Sequence, residues 1–193
     1  GRGPDRGRGQ DRRPAGVRQL MTELRADARR NLELVLDAAE QAFGASGPDA
    51  SIDEIARLAG VGHGTVFRRF PTKDDLMYAV IERHVAQMCA IAEEALASDD
   101  PGEAFFDFVW AIAELNMSTP GLHRCVVHCG DKPGAAELEK LADRVVSRAQ
   151  RAGAVRRDVR AEDVRLLVRA ALTNAPPGQW RRHLSVVLDG LRA

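Results

Sequence analysis

An all-α fold is what this sequence predicts, on three observations. Apolar residues recur at i, i+3 and i+4 in successive windows, the spacing of a helix face turned to a core. Ala, Leu, Val and Arg dominate while there is a single Tyr, a balance that favours helices over a β-sandwich. No β-strand pattern and no internal repeat is found along the 193 residues. That length suits one sizeable core, or a small domain fused to a larger one. No apolar run approaches the roughly 18 residues of a membrane span, and no signal-peptide core is found. Three cysteines, an odd number in a chain this long, do not make a disulfide framework, so a reducing cytoplasm is the expected home.

The N-terminal "GRGPDRGRGQDRRPAG" has no apolar residue before Ala15. Residues 1–22 are therefore expected to be a disordered Arg/Gly-rich arm, either a solvated tail or an arm touching phosphates. Order is expected from Glu23. Leu32, Val35, Leu36, Ala39 and Phe43 make the inner face of a first helix, ended by Gly44 and "GASGPD". Ser51, with Glu54 three residues on, opens a second helix through a capping box, and Gly60 closes it as a left-handed cap. A third helix lies within His63–Phe70, with Val66 and Phe70 inward and His63, Gly64, Phe67 and Arg68 around the outer side. Thr72 and Asp75 cap a long fourth helix that runs to about Ser98. Phe105, Phe108, Val109 and Ile112 mark a fifth, ending before Thr119-Pro120-Gly121. Further helices are expected at 122–129, 135–152, 161–174 and 179–191.

Charge is distributed unevenly over a chain whose formal net charge is zero. Residues 1–30 hold nine arginines against four acids, a net of +5, so the remainder carries −5. Within that mildly acidic remainder, Gly60 to Lys73 contains no acid at all. Two short helices joined by the tight "AGVG" turn and braced by a preceding helix outline a helix-turn-helix. The second helix of such a unit enters the DNA major groove. An acid there would face a polyanion, which accounts for the cleared stretch, and Gly64 removes a side chain where the helix can approach the DNA backbone closely.

From Leu32 to Leu76, "LELVLDAAEQAFGASGPDASIDEIARLAGVGHGTVFRRFPTKDDL" resembles the DNA-binding domain of the TetR family of bacterial transcriptional repressors. The match runs in order through "LDAA…F", "S-I-x-x-I-A-x-x-A-G-V" and "G-T-V-F-x-x-F-P-x-K". The resemblance implies that Ser51 reaches a phosphate, that Thr65 and Phe67 contact the DNA backbone or a thymine methyl, and that His63 and Arg68 approach base edges. It further implies that Lys73 grips a phosphate beside the free amides of the fourth helix. Three positions depart from the family pattern: Phe67 stands where Tyr is usual, Arg69 where His is common, and Gly62 where Ser is frequent. Arg69 adds a fixed charge and a bidentate fork to the reading face.

The resemblance divides the chain into the arm 1–22, a helix-turn-helix domain 23–72, and an all-helical effector-binding and dimerisation domain 73–193. It implies a homodimer on double-stranded DNA with an inverted-repeat operator, joined through the last two helices. Trp180, Leu184, Val187, Leu188 and Leu191 form one apolar stripe there, and Val164, Leu167, Val168 and Ala171 another; either stripe alternatively closes the core. Effector-pocket candidates are His84, Met88, Phe105, Phe108, Trp110, Met117 and His123, whose scarcity of charge suggests an apolar or aromatic molecule. No enzymatic activity, cofactor or metal is expected. "HRCVVHC" carries the alternatives: Cys125, Cys129 and His128 for a metal- or thiol-sensing regulator, or, in another class, for a Cys/His enzyme.

Overall fold

A computed structural model describes residues 15–129, 134–176 and 178–193, with side chains from residue 26 onward. Among the described residues there are helices and no strand: α1 (Ala15–Ser46), α2 (Ile52–Ala59), α3 (His63–Arg69), α4 (Lys73–Ala97), α5 (Pro101–Ser118), α6 (Leu122–Cys129), α7 (Ala135–Arg151), α8 (Ala161–Thr173) and α9 (Trp180–Leu191). No helix among them is long and apolar enough to cross a membrane.

Local chemistry sets most helix ends. Ser51 Oγ accepts from the Glu54 amide at 3.1 Å, and Gly60 (φ 65°, ψ 27°) takes the left-handed turn that ends α2. Thr72 and Asp75 form a complete reciprocal box at the start of α4. Asp100 accepts from the amides of Gly102 and Glu103, and Pro101 occupies the first turn of α5, where a missing N–H costs nothing. At the far end of α4 the Arg148 guanidinium donates to the carbonyls of Ala95, Leu96 and Ser98, where a cation complements the helix dipole.

Two expectations about α1 are corrected. Residues 15–22, assigned to the arm, form its opening turns, because Val17 to Phe43 holds no Gly or Pro and the packed segment downstream supplies the nucleus; residues 1–14 lie outside the described residues. Gly44 does not end the helix, which runs on to Ser46. Its missing side chain serves packing instead, since a Cβ there would sit 3.2 Å from Thr119 Cγ2.

Two cores are stacked along α4. The first gathers Val35, Ala39 and Phe43 of α1, Ile55 and Ala59 of α2, Val66 of α3, Leu76 to Val85 of α4, and Leu122 and Cys125 of α6. The second gathers Phe105, Phe106 and Val109 of α5, Leu141, Val145 and Val146 of α7, Val164 and Val168 of α8, and Trp180, Leu184, Leu188 and Leu191 of α9. The N-terminal half of α4 thus packs with the helix-turn-helix, past position 72. Arg83 fastens that half to α1, with Nη2 2.5 Å from Asp37 and Nε 3.7 Å from Glu40.

Burial also settles what the last two helices do within one chain. Leu184 is 0 % exposed and Leu188 3 %, so the stripe on α9 closes the protomer's own core. Leu166 and Leu167 of α8 and Val186 of α9 remain as large exposed apolar side chains.

Candidate nucleic-acid interface and ligand cavity

On α3, Val66 is wholly buried and Phe70 partly so, which turns His63, Gly64, Phe67, Arg68 and Arg69 to solvent, with Thr65 half-buried at the edge. Phe67 keeps 39 % of its surface exposed, a large apolar ring held in water on an otherwise polar face. Neither Arg68 nor Arg69 has an ion-pair partner among the described residues, so both forks stay free. A Cβ on Gly64 would meet nothing within 4 Å, so the gap in the side-chain surface there is open to an incoming molecule.

Asp53, not among the residues expected at this face, is brought to it by α2. Its carboxylate contacts His63 Nδ1, and the His63 ring stacks on Phe67 with centroids 4.5 Å apart. The absence of acids from residues 60–73 therefore does not leave the face free of carboxylate. Sequence separation hid the pair, since the two lie ten positions apart on different helices.

Ser51 is exposed, with its hydroxyl engaged as the α2 cap. Lys73 is placed differently from the expectation: its side chain is half-buried and Nζ donates to the Pro48 carbonyl at 2.7 Å. The start of α4 is also less inviting to phosphate than expected. The Asp75 amide is already bound by Thr72, and Asp74 and Asp75 put two carboxylates in the first turn.

Behind the reading head, α4, α5, α6, α7 and α8 enclose a cavity of about 870 Å³. Of the seven effector-pocket candidates, His84, Met88, Phe108, Met117 and His123 line it. Phe105 and Trp110 do not. Phe105 lies deeper in the second core with no exposed surface, and Trp110, two residues round the helix from Phe108, faces Trp180 with ring centroids 6.2 Å apart. The wall is largely apolar, with charged groups gathered on α7 and α8, among them Glu139, Asp143, Arg165 and Arg169.

His84 is the one buried charged or polar residue among those described, at 7 % exposure, and its Nδ1 has no hydrogen-bond partner. Burial lowers its pKa; a hydrogen bond with Asn116 and the Glu40 carboxylate oppose this without reversing it. Asn116, also in the wall, was not among the candidates, although a polar residue on the Phe108–Ile112–Asn116 ridge was the available signal.

Two helices join the cavity to the helix-turn-helix: α4, which runs from the first core into the cavity wall, and α6. α6 contributes Leu122, His123 and Val126 to the cavity. At its start the Gly121 amide donates to Gly44 O at 2.7 Å, while Arg124 donates to Ser46 O and lies 3.7 Å from Asp49.

The Cys/His stretch does not assemble a reactive centre. Cys125 is wholly buried in the first core, and burial pushes its thiol up to about 11. Burial also raises the thiols of Cys129 and Cys89, away from the thiolate that a nucleophile or redox sensor requires. His128 lies 3.6 Å from Asp74 instead of facing a thiol, and no group of three metal-ligating side chains converges among the described residues. Among the described residues, nothing in this stretch supports the metal- or thiol-sensing or Cys/His enzyme alternatives.

Comparison with known proteins places both halves of the chain. Residues 35–80 match the model for bacterial regulatory proteins of the tetR family, and residues 100–193 match that for the C-terminal domain of SbtR-like transcriptional regulators. The crystal structure of a TetR transcription regulatory protein from Mycobacterium vanbaalenii superposes with a TM-score of 0.69 at 39 % identity, covering 88 % of this chain and 99 % of that one. A TetR transcriptional regulator from Streptomyces coelicolor superposes with a TM-score of 0.67 at 28 % identity, covering 83 % and 97 %. The HTH-type transcriptional activator FasR of Mycolicibacterium smegmatis is 33 % identical over 107 residues, which is 51 % of this chain and 48 % of FasR. The chain spans about half the length of the curated relatives it matches.

Proposed function

Since the chain belongs to the TetR family of bacterial transcriptional regulators, we propose that it binds an inverted-repeat operator as a homodimer and acts as a repressor released by a small-molecule effector. The observation that carries this reading is the exposed face of α3, where two unpaired arginines, a gap at Gly64 and a stacked His63–Phe67 pair stand on the second helix of a helix-turn-helix. In the major groove, Arg68 would read a base edge, with His63 beside it. Arg69 would hold a phosphate, and Thr65 and Phe67 would pack on the backbone or a thymine methyl.

The cavity and α6 supply the release. A ligand that fills about 870 Å³ between α4 and α8 presses on Leu122, His123 and Val126, and α6 is tied to the α1–α2 connection through Gly121 and Arg124. Displacing α6 changes the tilt of the reading head, so two heads no longer fit successive major grooves, and the ligand selects the form that does not bind DNA. Leu166, Leu167 and Val186 offer the apolar surface for the second copy. FasR, an activator by name, favours a second reading in which the same DNA-bound dimer activates; the two differ in where the operator lies relative to the promoter.

Selection of bound duplexes from a random library, followed by a salt series on the selected and a random duplex, tests the reading. Arg68→Ala should cost roughly 1–3 kcal/mol on the selected site and little on random DNA. Arg69→Ala should weaken both about equally and flatten the slope of log affinity against log salt by about one unit. Wild-type affinity no better than millimolar for every duplex at low salt would sink the proposal.

A further inference from the structure

We infer that Asp53 is a positioning residue for DNA reading: it holds the His63 imidazole so that Nε2 offers a bare lone pair to the major groove, where it selects cytosine. The inference rests on α3 being the reading helix, and adds what His63 reads and what holds it in place.

Two contacts fix the ring. Nδ1 is hydrogen-bonded to the Asp53 carboxylate, and Phe67 stacks on one face with centroids 4.5 Å apart and planes inclined by 25°. A carboxylate only accepts, so the proton of the neutral ring sits on Nδ1 and is donated to Asp53. Nε2, on the far side of the ring, is then the acceptor. The His63 side chain is half exposed and that of Asp53 largely so, which leaves the pair open to an incoming duplex. Among the described residues no other hydrogen bond or ion pair engages either side chain. An exposed pair of this kind adds little to stability. Its worth lies in geometry, because a ring already held on two sides loses little freedom when DNA arrives.

The pair does not suit the DNA backbone. Asp53 brings a negative charge to the reading face, and beside a phosphate that charge is repelled. Over a base edge the same carboxylate is useful, since its second oxygen is an acceptor alongside Nε2. Cytosine is the one base whose major-groove edge carries a donor, the N4 amine, and no acceptor; guanine, adenine and thymine would each set an acceptor against the pair. Arg68 and Arg69 carry donors only, so the His63–Asp53 pair supplies the acceptors that the rest of the face lacks.

The test uses the full chain at slightly alkaline pH, where a free imidazole is neutral. Without DNA, the imidazole ¹⁵N signals should show His63 protonated at Nδ1 in wild type and no longer so in Asp53→Ala. Binding is then measured on duplexes selected from a random library. The position read by His63 is the one whose preference His63→Ala removes, and it should be cytosine. Thymine there should weaken wild-type binding about tenfold, the worth of one hydrogen bond. Asp53→Ala should remove that preference yet bind random duplexes more tightly, because a negative charge has left the interface. Asp53→Asn keeps an oxygen for Nδ1–H, so it should retain most of the preference while also gaining on random DNA. A side chain that merely steadied α2 would instead lose affinity on both kinds of duplex. In the His63→Ala background, Asp53→Ala should change the base preference no further. A wild-type ring protonated at Nε2, a guanine or no preference at the His63 position, or a cytosine preference that survives Asp53→Ala overturns this inference and leaves α3 standing as the reading helix. Wild-type affinity no better than millimolar for every duplex at low salt overturns the proposed function, and this inference with it.

Discussion

Gly121→Ala should weaken the link between the cavity and the helix-turn-helix that runs through α6. A Cβ at Gly121 would lie 2.2 Å from Phe43 O, 2.6 Å from Gly44 O and 2.8 Å from Gly47 N, all backbone atoms with nowhere to rotate. Ordinary contact begins more than an ångström further out, so the start of α6 has to back away from α1. The hydrogen bond from the Gly121 amide to Gly44 O, 2.7 Å long, does not survive that shift. Overpacking of this kind costs about 1–3 kcal/mol and the lost hydrogen bond roughly 1 more, so the change totals about 2–4 kcal/mol. For a chain of this size the melting temperature should fall by roughly 5–15 °C. Gly64→Ala is the control with the opposite sign. Nothing lies within 4 Å of its Cβ, so the substitution should leave stability unchanged or raise it by up to about 1 kcal/mol, while operator affinity drops because the new methyl occupies the gap facing DNA. Calorimetric melting and operator titration of both variants separate the two. A Gly121→Ala protein that melts within a degree of wild type and still releases DNA normally would refute the assigned role of the α6–α1 contact.

Two further outcomes follow from burial. Leu167→Glu with Val186→Glu should give monomers by sedimentation with little change in melting temperature, whereas Leu184→Ala, at 0 % exposure, should lose about 2–5 kcal/mol of stability; a stable dimer in the double variant would move the interface elsewhere. Cys125, wholly buried and with its thiol pushed up to about 11, should resist iodoacetamide at neutral pH in the native protein and react once it is unfolded, and thiol oxidants should not release DNA. Oxidant-driven release abolished by Cys125→Ser would reverse that assignment.

What was readable along the chain and what was not divides by the range of the interaction. Caps are local: Ser51 with Glu54, Gly60, and Thr72 with Asp75 each act on amides or turns within a few residues, and the ends of α2 and the start of α4 follow from them. Gly44 misled because a glycine near a helix end has two explanations, a left-handed turn or a close neighbour, and the neighbour here is Thr119, far along the chain. Periodicity likewise reports that a face is apolar without reporting what covers it. The stripe of Leu184 and Leu188 therefore read equally well as a dimer seam or as core, and only the positions of α5, α7 and α8 decide for core. Phe108 and Trp110 show the same limit within one helix, since both are large, aromatic and apolar, and 200° of rotation puts one in the cavity wall and the other against Trp180. Polar residues are more informative than apolar ones in such places, because a buried polar atom must be accounted for and a buried methyl need not be. Asn116 on an apolar ridge and His84 in an apolar turn were both visible in the sequence. Only the packing of α4 against α5 shows that they stand together in the wall of one cavity.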